Sequence, residues 1–376
     1  MKFCAVRTAA ALLCAAAVTV TPAAPAHADK IRNDQWHLQF LKVAEAHIIS
    51  QGEGVTVAII DSGVEPHPDL RNNLIPGKDL GQNGPGDGLQ DQDGHGTGMA
   101  GLIAGHGSGT GNGALGIAPK AKVLPIRYKV SARDDKGDAD KIASGIEWAV
   151  AHGAKVINIS SAGGPSSAMA RAVDAALAAD VIVVAGVGNR PAFYSIGFPA
   201  MYDGVIAVGA TDRRGNLAKV SVTGKAMMIS APGENISSTG RGGRYRVGTG
   251  TSDSAAIVSG AAALIRSKYP EMSAKEVIHR LTATAVDKGA PGRDPEYGYG
   301  VLDLVAALTA DVPPLAGASA STGPSPRPTA VDVTALPEPK EAGSKATIVL
   351  VTVGVLVVIG IVITLLVLRS RRRNST

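Results

Sequence analysis

Three side chains of this sequence have the types that carry acyl transfer without a cofactor: a carboxylate, an imidazole and a hydroxyl. Asp61 closes the apolar run Val57-Ala58-Ile59-Ile60 and precedes Ser62-Gly63. A carboxylate at that place is costly to bury unless a partner bonds it. His95 lies within Asp93-Gly94-His95-Gly96-Thr97-Gly98-Met99-Ala100-Gly101. It stands at the expected start of a small-residue helix reaching Gly105, where missing side chains let other backbone approach the imidazole. Ser252 lies within Gly248-Thr249-Gly250-Thr251-Ser252-Asp253-Ser254-Ala255-Ala256. This reads as a Gly-Thr turn followed by a helix N-terminus, whose N–H groups and dipole favour an oxyanion forming beside the hydroxyl. Each motif alone has a plain reading as a turn Asp, a loop His or an N-cap Ser. Together they offer a nucleophile, a general base and the carboxylate that orients it.

Such groups are far apart in the chain, so the fold must converge them. Short aliphatic, β-branched runs occur at Val55–Ile60, Val123–Ile126, Val156–Ile159, Val181–Ala185 and Val205–Val208. Near-continuous runs of this kind predict parallel strands buried on both faces. Helical segments are expected at Asp138–Ala151, Ser166–Ala179, Ser252–Lys268 and Ser273–Thr284. The alternation predicts an α/β fold, a parallel sheet with helices on both faces, and catalytic groups at the carboxyl ends of its strands.

In the order Asp61, His95, Ser252, and in these strand and helix settings, the motifs resemble the subtilisin superfamily from roughly Gly54 to Leu304. The resemblance implies a serine endopeptidase with a subtilisin-like fold. It also implies that Asn189, closing Val181-Ile182-Val183-Val184-Ala185-Gly186-Val187-Gly188, donates to the oxyanion together with the Ser252 N–H. Ser160, Ser161, Ala162 and Gly163 resemble the segment that pairs with the substrate backbone beside the S1 pocket. Within the superfamily the chain looks like a mycosin, on the Asp34-Gln35-Trp36-His37-Leu38 start and on the segments at its two ends. That resemblance implies a partnership with the type VII secretion membrane complex and a protein or peptide substrate. It implies no cofactor and no metal. Three positions depart from the pattern: Gly98 where His is frequent, Asp253 where Met or Phe is usual, and Ala256 where Pro is usual. Asp253 is expected to alter activity or specificity, since a carboxylate there suits the helix N-terminus but opposes an oxyanion. The competing reading is a weakly active or inactive structural subunit of the secretion complex.

The chain ends read as targeting. Lys2 and Arg7, the apolar stretch Ala9–Val20 and Ala26-His27-Ala28 form a secretory signal over residues 1–28, with cleavage expected after Ala28. A peptidase domain is expected over 29–310 and a Pro/Ala/Ser-rich stalk over 311–346. Residues 347–368 form an uncharged apolar run long enough to span a bilayer. Arg369, Arg371, Arg372 and Arg373 in the tail, 369–376, predict a cytoplasmic C-terminus and an extracytoplasmic peptidase domain on the cell membrane.

The formal charge of +5 falls to +3 without the signal's two cations and to −1 without those four arginines. A basic nucleic-acid-binding surface is therefore not indicated. Cys4 and Cys14 are the only cysteines and lie in the signal, which excludes disulfides, a thiol protease and a Cys-ligated zinc site from the mature protein. The acidic loop Asp87–Asp93 reads as solvated turns in preference to a calcium site.

Overall fold

The computed structural model describes residues 26–81, 86–129 and 138–315. The expected span and cytoplasmic tail, most of the signal, and the stalk beyond residue 315 lie outside the described residues. Among the described residues no helix is long and apolar enough to cross a membrane.

The chain opens with three short helices, α1 (Ala26–Asp34), α2 (Trp36–Phe40) and α3 (Val43–Ile49). It then enters the sheet through β1 (Thr56–Asp61), β2 (Lys78–Asp79), α4 (His95–Ala104), β3 (Lys122–Arg127), α5 (Ala139–Ala151), β4 (Val156–Ile159) and α6 (Ser167–Ala178). β5 (Ile182–Gly186), β6 (Ile206–Thr211) and β7 (Ile229–Pro232) follow, then a hairpin of β8 (Ile236–Thr239) and β9 (Tyr245–Gly248). α7 (Thr251–Lys268), α8 (Ala274–Ala283) and α9 (Leu304–Thr309) complete it.

Seven strands form one parallel sheet in the order β2-β3-β1-β4-β5-β6-β7. The path after β1 runs to β3 on one side and returns to β4 on the other. The carboxyl end of β1 is thus the switch point where such sheets place their chemistry.

Alternation along each strand decides which face each side chain covers. Val57 and Ile59 of β1 pack with Met99, Leu102 and Ile103 of α4 and with Ile257, Ala261 and Leu264 of α7. Ala58 and Ile60 pack on the opposite face with Ile142 and Ile146 of α5 and Val173 of α6. Helices therefore cover both faces, as the continuous aliphatic runs require. α7 is buried almost all round, and its small residues let it lie close to its neighbours. A Cβ at Gly260 would come within 2.6 Å of Ile117 Cβ.

Polar residues fix the helix starts. Asp138 caps α5, Ser166 caps α6 and Asp303 caps α9, while Ser273 and Glu276 form a reciprocal capping box on α8. The N-terminal arm is tied to the loop after α4 and to the hairpin strand β8. Gln35 donates to the Leu115 and Ser237 carbonyls at 2.9 and 3.3 Å and accepts from Leu115 N at 2.8 Å. Trp36 Nε1 donates to the Asn235 carbonyl at 3.1 Å. His37 is fully buried beside them, and neither ring nitrogen has a hydrogen-bond partner among the described residues.

Candidate active site

Asp61 is the last residue of β1 and is fully buried. Its two carboxylate oxygens each lie 2.9 Å from His95 Nδ1, and Oδ1 accepts from Ser62 N at 2.7 Å. Lys129, just past β3 and nearly buried, brings its Nζ to 3.7 Å from Oδ1. Burial by itself would raise the Asp61 carboxyl. The charges of His95 and then Lys129, with the hydrogen bonds, outweigh it and hold the group below the ordinary carboxylate range. Asp61 in turn holds the Lys129 ammonium up against the burial that opposes it.

His95 is the first residue of α4, entered through Gly94 at φ 95°. Gly96 is what allows the helix to come so near β1. A Cβ there would sit 2.1 Å from the Gly63 carbonyl oxygen and 3.2 Å from Asp61 Cβ. Asp91 fastens the helix start. Its Oδ1 accepts from Asp93 N and Gly94 N at 3.0 and 2.7 Å, and its Oδ2 accepts from Thr97 N and Thr97 Oγ1 at 2.9 and 2.6 Å. Asp91 is buried, so this part of the acidic loop is an internal cap and not the solvated turn expected from composition.

Ser252 is the second residue of α7, behind Gly250. First-turn N–H groups have no acceptor within their own helix, and the helix dipole adds positive potential there. Asn189 follows β5. Its Oδ1 accepts from Thr251 N at 2.9 Å and from Thr251 Oγ1 at 3.2 Å, while Thr251 Oγ1 accepts from Gly188 N at 3.2 Å. With the amide oxygen so engaged, its Nδ2 is the group left to donate. That nitrogen lies 3.2 Å from where a Gly250 Cβ would stand.

His95, Asn189, Ser252, Ser160, Ser161 and Ala162 all border one cavity of about 210 Å3. Donation of the Nδ1–H to Asp61 leaves Nε2 as the basic nitrogen of the imidazole. Among the described residues no hydrogen bond joins Ser252 to His95; the hydroxyl donates to the Ser160 carbonyl at 3.5 Å. Ser160 Oγ turns inward, its one proton shared between Asn158 Oδ1 at 3.0 Å and the Ser252 carbonyl at 3.3 Å. Gly163 does not border the cavity. Its N–H donates to the Phe198 carbonyl at 2.9 Å and its carbonyl accepts from Phe198 N at 3.0 Å.

The departures at Gly98 and Asp253 belong together. Asp253 is buried next to Ser252, and Arg246 Nη2 of β9 reaches its Oδ1 at 3.2 Å. Burial raises the Asp253 carboxyl, against the charges of Arg246 and His95. A Cβ at Gly98 would lie 2.2 Å from Arg246 Nη1, and one at Gly248 would lie 1.9 Å from Nη2. Two bare glycine backbones thus form the slot that the guanidinium occupies.

Lys129, Arg246, Asp91 and Thr251 were not apparent as site residues from the sequence. Asp91 stands six residues before Thr97 and Arg246 seven before Asp253, spacings that mark no motif.

The Subtilase family (Peptidase S8) model matches residues 52–300. Subtilisin BL of Lederbergia lenta is 38% identical over 274 residues, covering 72% of this chain and 97% of that protein. The crystal structure of MycP1 with its N-terminal propeptide removed superposes with a TM-score of 0.66 at 32% identity, covering 74% of this chain and 98% of that one. MycP3 protease from the type VII (ESX-3) secretion system gives a TM-score of 0.64 at 34% identity, covering 73% of this chain and 88% of that one. With this geometry and these likenesses, the chain belongs to the subtilase family and has the subtilisin-type serine protease fold.

Proposed function

We propose that this chain is a membrane-anchored, extracytoplasmic endopeptidase of the type VII secretion apparatus, acting through Asp61, His95 and Ser252. The observation that carries the reading is the contact of His95 Nδ1 with both oxygens of buried Asp61, in the cavity that Ser252 borders.

His95 Nε2 takes the Ser252 proton as the hydroxyl attacks the substrate carbonyl, and Asp61 stabilises the imidazolium that forms. The tetrahedral oxyanion receives hydrogen bonds from Asn189 Nδ2 and the Ser252 N–H, each such donor being worth about 3–4 kcal/mol to the transition state. His95 then protonates the leaving amine, and water releases the acyl group from Ser252. The resting hydroxyl turns to Ser160, as unliganded sites often do before substrate tightens the catalytic bonds. Ser160, Ser161 and Ala162 supply the edge against which the acyl side of the substrate lies. Arg246 neutralises the Asp253 carboxylate, which would otherwise oppose the oxyanion.

Membrane anchoring rests on the apolar run 347–368 and the arginines after it, and export rests on residues 1–28. The secretion partnership rests on similarity to MycP1 and MycP3 across most of their length. Purified wild-type protein and Ser252→Ala, incubated with a diverse peptide library, give the test. Cleavage by the wild type alone is expected. Cleavage by neither, with secretion unaffected by Ser252→Ala, supports instead the structural-subunit reading. Removal of residues 347–376 is expected to release the protein from the membrane fraction.

A further inference from the structure

His95 borders two depressions. The first holds Ser252, Asn189 and the Ser160–Ala162 edge. Among the described residues the second, of about 520 Å3, shares only His95 and Arg246 with it, and its remaining charged lining is Arg241, Arg244 and Asp93.

Peptide hydrolysis by an acyl-enzyme sends the two halves of the substrate to different places. The acyl half stays on Ser252, against the 160–162 edge. The amine half departs with a proton handed over by His95 Nε2. The second depression, which His95 also borders, is the place this reading assigns to the leaving segment.

The arginines come from the hairpin. Arg241 opens the short turn Arg241–Gly243 after β8, Arg244 precedes β9, and Arg246 lies within β9. Arg246 is already committed, held by Asp253 in its glycine slot. Arg241 and Arg244 are exposed, and among the described residues neither guanidinium pairs with a carboxylate; Arg244 Nε reaches only the Arg241 carbonyl, at 3.5 Å. Among the described residues Asp93 is the one carboxylate bordering the depression, and Glu65 accepts from Gly242 N at 3.0 Å on the same turn. Arginine presents a fixed fork of donors to a carboxylate, and two such forks beside the departing chain give that side a selective positive field.

We propose that Arg241 and Arg244 form an acid-recognising subsite for the leaving side of the substrate, so that the preferred substrates carry Asp or Glu in the residues that follow the cut bond. This rests on the peptidase reading above. Two such contacts at a partly hydrated surface correspond to a preference of roughly tenfold at low salt, weakening as salt screens them.

The test uses the full chain in non-ionic detergent and two quenched fluorescent peptides. They share one acyl side, chosen from library cleavages, and differ only in having Glu-Asp or Gln-Asn on the leaving side. The wild type is expected to give a kcat/KM ratio of roughly ten in favour of the acidic peptide, falling several-fold in 0.5 M salt. The double variant R241A/R244A is expected to bring the ratio to about one, and R241K/R244K, which keeps the charge without the fork of donors, to retain only part of it. Both positions are exposed, and thermal melting checks that the variants fold. A wild-type ratio of one, or a ratio unmoved in R241A/R244A, overturns the subsite while the neutral peptide's cleavage leaves the peptidase reading standing. Cleavage of neither peptide nor any library member overturns both.

Discussion

Replacing His37 by Leu should make the protein markedly less sensitive to acid. The imidazole is fully buried, has no hydrogen-bond partner among the described residues, and is pushed by burial from its ordinary 6.5 down to about 3. The unfolded chain takes up a proton near pH 6.5 that the folded chain refuses until about pH 3. The stability due to this group is thus fully present above 6.5 and is lost as pH falls through that window. At 1.36 kcal/mol per pH unit, linkage gives a loss of about 2 kcal/mol at pH 5, about 3 at pH 4 and about 5 in full. Urea unfolding of wild type and His37→Leu at pH 7 and pH 5 measures the difference. Wild type should lose about 2 kcal/mol more than the variant over that interval. Parallel losses in the two proteins would refute the reasoning, because they would mean that the folded state protonates His37 as readily as the unfolded chain does. The arm that carries His37 also holds β8 through Gln35, so acid should loosen the arm before the sheet.

Other consequences can be measured on the same protein. Asn189→Ala should lower kcat by about 100- to 1000-fold with little change in KM, read from steady-state peptide hydrolysis. Arg246→Met strips Asp253 of its counter-charge, and the carboxyl, already raised by burial, should rise further. The pH profile of kcat/KM should then gain an ionisation absent from wild type and from R246M/D253N; superimposable profiles would dismiss the pairing. Gly98→Ala puts a Cβ 2.2 Å from Arg246 Nη1 and should cost about 1–3 kcal/mol in thermal unfolding. That penalty should be largely absent when Arg246 is already Met.

Five sheet strands and the larger helices were legible because burial on both faces leaves unbroken aliphatic runs, and β1, β4 and α7 fall within a residue or so of where those runs place them. β2 has only two residues and was not visible, since Lys78-Asp79 carries no apolar signal. β8 and β9 escaped for another reason. Ile236-Ser237-Ser238-Thr239 is buried, yet it is rich in hydroxyls, and those hydroxyls answer the backbone of α4: Ser238 and Thr239 donate to the Gly98 and Thr97 carbonyls at 2.7 and 2.6 Å. The approach of His95 to Asp61 could be anticipated from the glycines around the imidazole. The ammonium beside Asp61 could not, because Lys129 in Arg127-Tyr128-Lys129 looks like the solvated end of a strand. The effect expected of Asp253 was incomplete in the same way, since its partner sits on another element.

The glycine slot around Arg246 also limits which substitutions the protein can accept. Restoring a side chain at position 98 while Arg246 is present would displace the guanidinium and strand Asp253 without its cation; losing Arg246 first would strand the same acid. A change at position 98 or 246 is therefore expected to be tolerated best when Asp253 has already been replaced. The three positions are expected to be energetically coupled, so that a substitution at 98 or 246 costs more with Asp253 present than in D253N.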